Sequence, residues 1–218
     1  TVSEDGEENY PGMLHVTVTY TFTDGEWKIV YRASADKKTA VNLTNHAYFN
    51  LNGEGDETIL DHILWIDSDY ITPTNDTMMP EGGLRAVAGT AFDFNTPKEI
   101  GRDLGADDKD LKQGNGYDHC HVLKNGKGEY VKYAFAESRK TGIRMTCFTD
   151  RPSVQFYAGN GLNADGKSGH YANRSGFCLE TQNIPNNVNV EEYAAYGSSI
   201  VDAGEIYTHT SAYRFEVR

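Results

Sequence analysis

Alternating hydrophobic and polar positions predict that this chain is built from β-strands. Over residues 15–23 the larger hydrophobic side chains, Val16, Val18, Tyr20 and Phe22, occupy every second position. This period of two puts them on one face of a strand, so we expect that face to be half-buried. Asp24-Gly25 is typical of a hairpin turn. Residues 27–35 are therefore the expected return strand.

Similar patterns predict most of the remaining chain as strands and turns. We expect a second hairpin over residues 119–136, with its turn at residues 125–128, and another turn at residues 138–142. Further strands are expected at residues 143–149, 153–158, 177–181 and 207–217. Short strands separated by Gly- and Asn-rich turns indicate an all-β fold, a large antiparallel sandwich or a barrel.

Helical patterns are weak. Residues 97–104 and 191–193 are compatible with a turn or two of helix. The polar stretch at residues 101–116, with four aspartates, is interpreted as a solvated loop within a single domain that covers residues 1–218.

Composition limits the partners of the protein. The 218 residues carry a net charge of −12, which repels phosphate-rich ligands and argues against nucleic acid. Hydrophobic runs stay short of the roughly 20 residues that cross a bilayer, so we expect no membrane partner. Cys120, Cys147 and Cys178 have the spacing of neither a disulfide framework nor a zinc site, and are interpreted as small buried hydrophobes.

Two polar segments interrupt hydrophobic stretches and are candidates for chemistry. His46 lies in an Asn-rich run at residues 41–51, where burial requires a hydrogen-bond network. By itself, His46 is more typical of a structural histidine. Glu180 follows Phe177-Cys-Leu, and burial there would raise its pKa toward the range useful for acid–base catalysis. The alternative is a solvent-facing Glu180 on an edge strand.

A third polar segment covers residues 117–123. His119 and His121 are two residues apart and would share a face of a strand, a spacing that can hold a metal. No third ligand stands at a fixed offset, so we favour a structural role. Asp118 would point to the opposite face, where an acidic residue at the start of a strand usually caps or turns the chain.

These segments resemble the aldose 1-epimerase (galactose mutarotase) family over essentially the whole chain. The similarity is carried by Asn42-Leu-Thr-Asn-His-Ala-Tyr-Phe-Asn-Leu51, Tyr117-Asp-His, Val154-Gln-Phe-Tyr-Ala-Gly-Asn160 and Phe177-Cys-Leu-Glu-Thr-Gln182, in the family's order. The resemblance implies the mutarotase β-sandwich. It also implies an enzyme that interconverts the α and β anomers of free hexoses such as glucose and galactose, without a metal or other cofactor.

Residue roles follow from the resemblance at the matching positions. His46 would be the general acid and Glu180 the general base. Asp118 and Gln155 would bind the hydroxyl groups of the sugar.

The chain departs from the family pattern in two respects, of which the smaller is Pro185-Asn-Asn where Pro-Asp is common. The resemblance implies an Asn-Arg pair and a His-Gly-Gly motif toward the N-terminus, and neither stands before the matching segments here. The chain therefore resembles the C-terminal two-thirds of a family member. We expect the N-terminal strands to have been removed or to lie in another chain, with weak activity for this chain alone.

Two other functional classes remain open from the sequence. One is a carbohydrate-binding β-sandwich module without turnover, although binding alone requires no acid–base pair. The other is a metal-dependent enzyme that uses His119 and His121. Phosphorylated sugars are disfavoured, since they usually require Arg or Lys and the chain is acidic.

Overall fold

The computed structural model describes residues 1–124, 128–167 and 169–218. Antiparallel strands dominate these residues. In chain order they are β1 (Val2–Ser3), β2 (Leu14–Thr23), β3 (Glu26–Ala35), β4 (Thr39–Ala40), β5 (Ile63–Ile66), β6 (Ser68–Ile71), β7 (Arg85–Ala86), β8 (Lys98–Glu99), β9 (Asp118–Leu123), β10 (Val131–Glu137), β11 (Ile143–Thr149), β12 (Ser153–Tyr157), β13 (Ala164–Gly166), β14 (Gly169–Tyr171), β15 (Cys178–Gln182), β16 (Ile200–Val201) and β17 (Tyr207–Val217). The α-helix α1 covers Lys109–Gln113, and 3₁₀ helices cover Glu7–Asn9 and Glu191–Tyr196.

Two large sheets form the body of the molecule. The first contains eight strands in the order β1-β2-β3-β17-β11-β10-β5-β8, and the second contains five in the order β15-β12-β9-β6-β7. Short pairs, β13 with β14 and β4 with β16, complete the strands of the described residues. The predicted all-β, antiparallel class is therefore confirmed.

One hydrophobic core joins the two large sheets. Its members include Ile29, Tyr31, Leu64, Tyr133, Met145 and Tyr213 from the first sheet and Val154, Phe156 and Leu179 from the second. The hydroxyl of Tyr213 donates to the carbonyl of Leu179 at 2.9 Å, which satisfies a buried polar group between the layers. The five-stranded sheet thus has one face on the core, which leaves its other face for polar side chains.

The first predicted hairpin is confirmed, but its apolar face is only partly buried. β2 and β3 pair from Leu14 opposite Ala35 to Thr23 opposite Glu26. Val16 and Val18 are half-buried, whereas the rings of Tyr20 and Phe22 are 51% and 73% exposed and stack on Trp27. Alternation correctly identified the faces of the strand, but it could not tell where along the strand the second layer ends.

The second predicted hairpin, over residues 119–136, is wrong. Both strands exist, but β9 pairs with β6 and β12 in one sheet, and β10 pairs with β5 and β11 in the other. Both edges of β9 are occupied, so the chain crosses between layers after it. Residues 125–127 of the predicted turn lie outside the described residues. The turn at 138–142 and the strands expected at 143–149, 153–158, 177–181 and 207–217 are confirmed to within a residue or two.

The helical expectations were half right. A 3₁₀ helix does include residues 191–193, but residues 97–104 form the short strand β8 and turns instead. The aspartate-rich stretch at 101–116 is not simply a solvated loop, because it contains α1. Asp108 caps that helix and, with buried Asp110, binds Arg85 of β7. A distant arginine compensates the local negative charge, which the local sequence does not reveal.

None of the helices within the described ranges is long and apolar enough to cross a lipid bilayer.

Candidate active site

Three neighbouring strands of the second sheet bring polar side chains to its outer face. β12 lies between β9 and β15, and successive residues of each strand point to opposite faces. Two rows of paired residues cross the strands on the outer face: Asp118, Tyr157 and Cys178, then Cys120, Gln155 and Glu180. Strand register therefore collects three of the four predicted site residues in one small area.

The fourth residue, His46, lies in an irregular segment that runs alongside β15. The side-chain amide of Asn42 makes two hydrogen bonds to the backbone of Asn183, at 2.9 and 3.0 Å. At the other end of the segment, Phe49 and Phe177 exchange two backbone hydrogen bonds. Because the segment is attached just after and just before β15, His46 in its middle is held against the centre of that strand.

All four predicted residues line one cavity of about 340 Å³. This volume falls in the range of small-ligand sites. Thr72, Thr74 and Met78, from the loop at residues 72–80, also line the cavity. A larger cavity of about 800 Å³ lies beside Phe49 and Phe215. Its surface is mostly apolar, and none of the four predicted site residues lines it. We therefore place the candidate site in the smaller cavity, where the titratable groups converge.

The two carboxyl groups of this cavity are shielded from water. Glu180 is 8% exposed, and burial raises its pKa, against the lowering effect of His46 and with a further rise from Asp118. Burial also raises the pKa of Asp118, whereas the hydrogen bond from Gln155 and the charge of His46 lower it. The amide of Gln155 donates to Asp118 Oδ1 at 2.7 Å. Each carboxyl can therefore exchange a proton closer to neutral pH than an exposed one.

The imidazole of His46 is partly exposed and contacts two buried groups of the site. Nε2 lies 3.5 Å from Oε1 of Glu180, and Nδ1 lies 3.3 Å from Sγ of Cys178. The rings of Tyr48 and Tyr157 flank the imidazole at centroid distances of 5.0 and 6.0 Å. Since the His46 side chain is 51% exposed while Glu180 is buried, a ligand reaches the pair from one side.

The sequence interpretation overlooked Cys178, Tyr48 and Tyr157. Cys178 is fully buried, as predicted for a small hydrophobic residue, yet its thiol contacts the imidazole. A period of two would have identified it, because Cys178 shares a strand face with Glu180. The same rule relates Tyr157 to Gln155. Tyr48 shows no such signal, because it lies in an irregular segment.

His119 and His121 do share a face of β9, as predicted, but that face points into the core. Their rings pack against Phe92 at centroid distances of 4.8 and 6.4 Å. Burial lowers the pKa of His119 to about 4 and that of His121 to about 3. Neutral imidazoles packed on aromatic rings indicate a structural role. Asp118 points to the opposite face, also as predicted, and lines the cavity rather than serving as a turn residue.

One group within the described part of the chain has donor atoms close enough to hold a metal ion. It consists of His46, Cys178 and Glu180, whose donor atoms lie within 4.8 Å of one another. A cysteine binds metals as a thiolate. Burial, and secondarily the charges of Glu180 and Asp118, raise the pKa of Cys178 strongly, so the group suits proton exchange better than metal binding.

Comparison with known proteins places the chain in a family. The family model described as aldose 1-epimerase matches residues 1–214. The chain belongs to the aldose 1-epimerase family. The resemblance carried by the sequence motifs is thereby confirmed.

Relatives and solved structures agree with this assignment. Human galactose mutarotase is 43% identical to 99% of the chain, and the aldose 1-epimerase of Escherichia coli K12 is 37% identical to 98% of it. The crystal structure of galactose 1-epimerase from Lactobacillus acidophilus superposes on the whole chain with a TM-score of 0.85 at 30% identity. The expected mutarotase sandwich is therefore confirmed. The chain spans 61% of the length of the human and Lactobacillus proteins and 62% of the length of the E. coli protein.

Proposed function

We propose that this protein is an aldose 1-epimerase that interconverts the α and β anomers of free hexoses such as glucose and galactose. The observation that carries the proposal is the contact between His46 Nε2 and Glu180 Oε1, 3.5 Å apart at the mouth of a sugar-sized cavity. Anomer exchange moves protons at O1 and at the ring oxygen, and both oxygens are bonded to C1. An acid and a base that lie side by side can therefore reach both oxygens of one bound sugar.

Ring opening follows from this arrangement. Glu180 accepts the O1 proton while the O1–H electrons form the C1=O1 double bond. The C1–O5 bond breaks, and its electrons remain on O5, which takes the proton that His46 donates. The aldehyde rotates about C1–C2, and the reverse transfers close the ring on the other face of the carbonyl. Each positioned proton transfer typically accelerates such a step by about 10²–10⁴-fold.

Asp118 and Gln155 bind the sugar and position its ring next to His46 and Glu180. Their hydrogen bond leaves the second carboxyl oxygen of Asp118 and the carbonyl of Gln155 as acceptors for sugar hydroxyls. When these groups and His46 fix the sugar ring, O1 and the ring oxygen exchange protons with Glu180 and His46 rather than with solvent.

The cavity supports a neutral sugar as the substrate. Its described lining carries the carboxyls of Asp118 and Glu180 but neither Lys nor Arg. A phosphate group would meet negative charge there without a cationic partner. We therefore propose free hexoses in preference to hexose phosphates.

Polarimetry of freshly dissolved α-glucose and α-galactose tests the proposal. We expect the protein to accelerate equilibration, and His46→Asn or Glu180→Gln to reduce kcat by about 10²–10⁴-fold. His15→Asn and Glu57→Gln, both at exposed positions, serve as matched controls and should leave the rate unchanged.

Three outcomes would contradict parts of the proposal. Equal rates for wild type and both site variants would exclude His46 and Glu180 as the acid–base pair. Binding of hexose without faster equilibration would instead support a carbohydrate-binding module. A faster reaction with hexose 6-phosphate than with hexose would overturn the choice of substrate.

A further inference from the structure

We infer that Cys178 is a positioning residue for His46: its thiol makes a hydrogen bond with Nδ1 of the imidazole and so directs Nε2 toward Glu180 and the sugar. This inference deepens the proposed epimerase function and rests on it. It starts from two distances on one ring, 3.3 Å from Nδ1 to Sγ and 3.5 Å from Nε2 to the Glu180 carboxylate.

The position of Cys178 follows from the strand that carries the base. Cys178 and Glu180 are two residues apart on β15, so both side chains point to the site face. Cys178 is fully buried beneath the imidazole, whereas half of the His46 side chain is exposed. The thiol thus holds the inner edge of the ring and leaves the outer edge to the ligand.

His46 needs such a partner because its own segment is irregular. The segment is attached through Asn42 and Phe49 to the residues that flank β15, and through Leu43 to β17. Tyr48 and Tyr157 restrict the ring by packing, but packing does not distinguish Nδ1 from a ring carbon. A hydrogen bond at Nδ1 does make that distinction, and it thereby fixes which nitrogen reaches the substrate.

A neutral thiol suits a nitrogen that keeps its proton during the reaction, since Nε2 is the nitrogen that donates to O5. The thiol accepts a hydrogen bond from Nδ1–H in both the charged and the neutral imidazole, which favours the neutral tautomer with its proton on Nδ1. Another carboxylate at this position would add charge beside Glu180 and Asp118. Burial keeps the pKa of the thiol well above its ordinary value, so it adds none.

The test compares Cys178→Ala, Cys178→Val and Cys178→Ser in the protein as expressed. Alanine and valine both remove the hydrogen bond, and because alanine is smaller than cysteine and valine is larger, the two variants bracket the volume of the native side chain. We expect both to lower kcat by about 3- to 10-fold with KM nearly unchanged, the size expected for one ordinary hydrogen bond. Serine retains a donor and an acceptor, so it should restore most of kcat. Cys147→Ser is the matched control, because Cys147 is equally buried but lies in the core.

The deciding measurement is heteronuclear NMR of the His46 ring nitrogens without substrate. In Cys178→Ala and Cys178→Val we expect the population of the two neutral tautomers to shift, whereas Cys178→Ser and Cys147→Ser should resemble wild type. Unchanged ring signals in both the alanine and valine variants would overturn the inference, even if kcat falls, because the cysteine would then act by packing alone. The NMR result does not depend on turnover, so absence of epimerase activity would reject the proposed function and leave this test intact.

Discussion

At the scale of single residues, the main feature of the candidate site is that two carboxyl groups, those of Glu180 and Asp118, are shielded from water. Glu180 and Asp118 both have raised pKa values, and burial is the largest cause for each. Gln155 satisfies one oxygen of Asp118, and His46 lies beside Glu180. The burial that prepares these groups for proton exchange also costs stability when they ionise.

Glu180→Gln should therefore lower the activity without lowering the stability at neutral pH. A carboxyl with a raised pKa contributes stability below its unfolded value of about 4.3, and that contribution is lost as pH rises through the raised pKa. At pH 7–8 the ionised Glu180 is a net cost, so the variant should unfold at the same or a higher temperature than wild type. The advantage should vanish below about pH 4.

Thermal melts at pH 4, 6 and 8 check this expectation, with Glu57→Gln as the exposed control. A Glu180→Gln protein that is clearly less stable than wild type at pH 8 would contradict it. It would mean that the contact with His46 outweighs the cost of burial.

At the scale of elements, the site depends on how residues 42–49 are attached to β15. Asn42 binds Asn183 after the strand, and Phe49 binds Phe177 before it. The segment itself is irregular, so these attachments decide where His46 lies, together with Leu43, whose N–H donates to the Tyr207 hydroxyl and whose carbonyl accepts from His209 Nδ1. This explains why an Asn-rich run lies next to a hydrophobic strand: its amides replace the hydrogen bonds that a regular strand partner would make.

Asn42→Ala tests this attachment. The variant loses both hydrogen bonds to Asn183, and we expect it to lose about 1–3 kcal/mol of unfolding free energy. We also expect kcat to fall by tenfold or more, because misplacing a catalytic group by about 1 Å costs on the order of 100-fold. Urea unfolding and polarimetry measure the two effects.

Asn187→Ala is the control, since its amide makes one exposed hydrogen bond to Gly197. It should change neither quantity by much. If Asn42→Ala loses stability but keeps its kcat, the attachments at Leu43 and Phe49 suffice to position His46.

At the scale of the whole molecule, buried histidines couple the fold to pH. Burial lowers the pKa of His119 to about 4, and those of His121 and His209 to about 3. A histidine with a lowered pKa contributes stability above its unfolded value of about 6.5, and the contribution is lost as pH falls toward the folded value. The core between the sheets is therefore expected to weaken in acid.

His119→Gln isolates one of these contributions. Each buried neutral histidine makes the unfolding free energy fall by about 1.4 kcal/mol per pH unit between roughly pH 6 and 4. Glutamine does not titrate, so the variant should show a slope smaller by that amount, and exposed His15→Gln should match wild type. Urea unfolding at several pH values gives the slopes. Equal slopes for all three proteins would show that His119 does not contribute.

Much of the fold and the membership of the site followed from the sequence. Alternation located the hairpin of β2 and β3 and the strands β11, β12, β15 and β17, because side-chain period and turn chemistry are local properties. The motifs around His46, Asp118, Gln155 and Glu180 identified the family and the candidate residues. Local patterns failed where a distant partner decides the outcome, as with Arg85, which compensates Asp108 and Asp110 beside α1.

The tertiary structure alone decided how these parts meet. The strand that pairs with a given strand depends on which sheet edges are already occupied, so β9 and β10 lie in different layers although the sequence predicts a hairpin there. The same long-range pairing put β9, β12 and β15 side by side and held His46 against β15. The order of residues specifies which chemical groups the protein carries. Sheet assembly placed the His46 imidazole and the Glu180 carboxyl in one cavity, with the Cys178 thiol against the imidazole, because contacts between residues more than a hundred positions apart are set by packing rather than by local pattern.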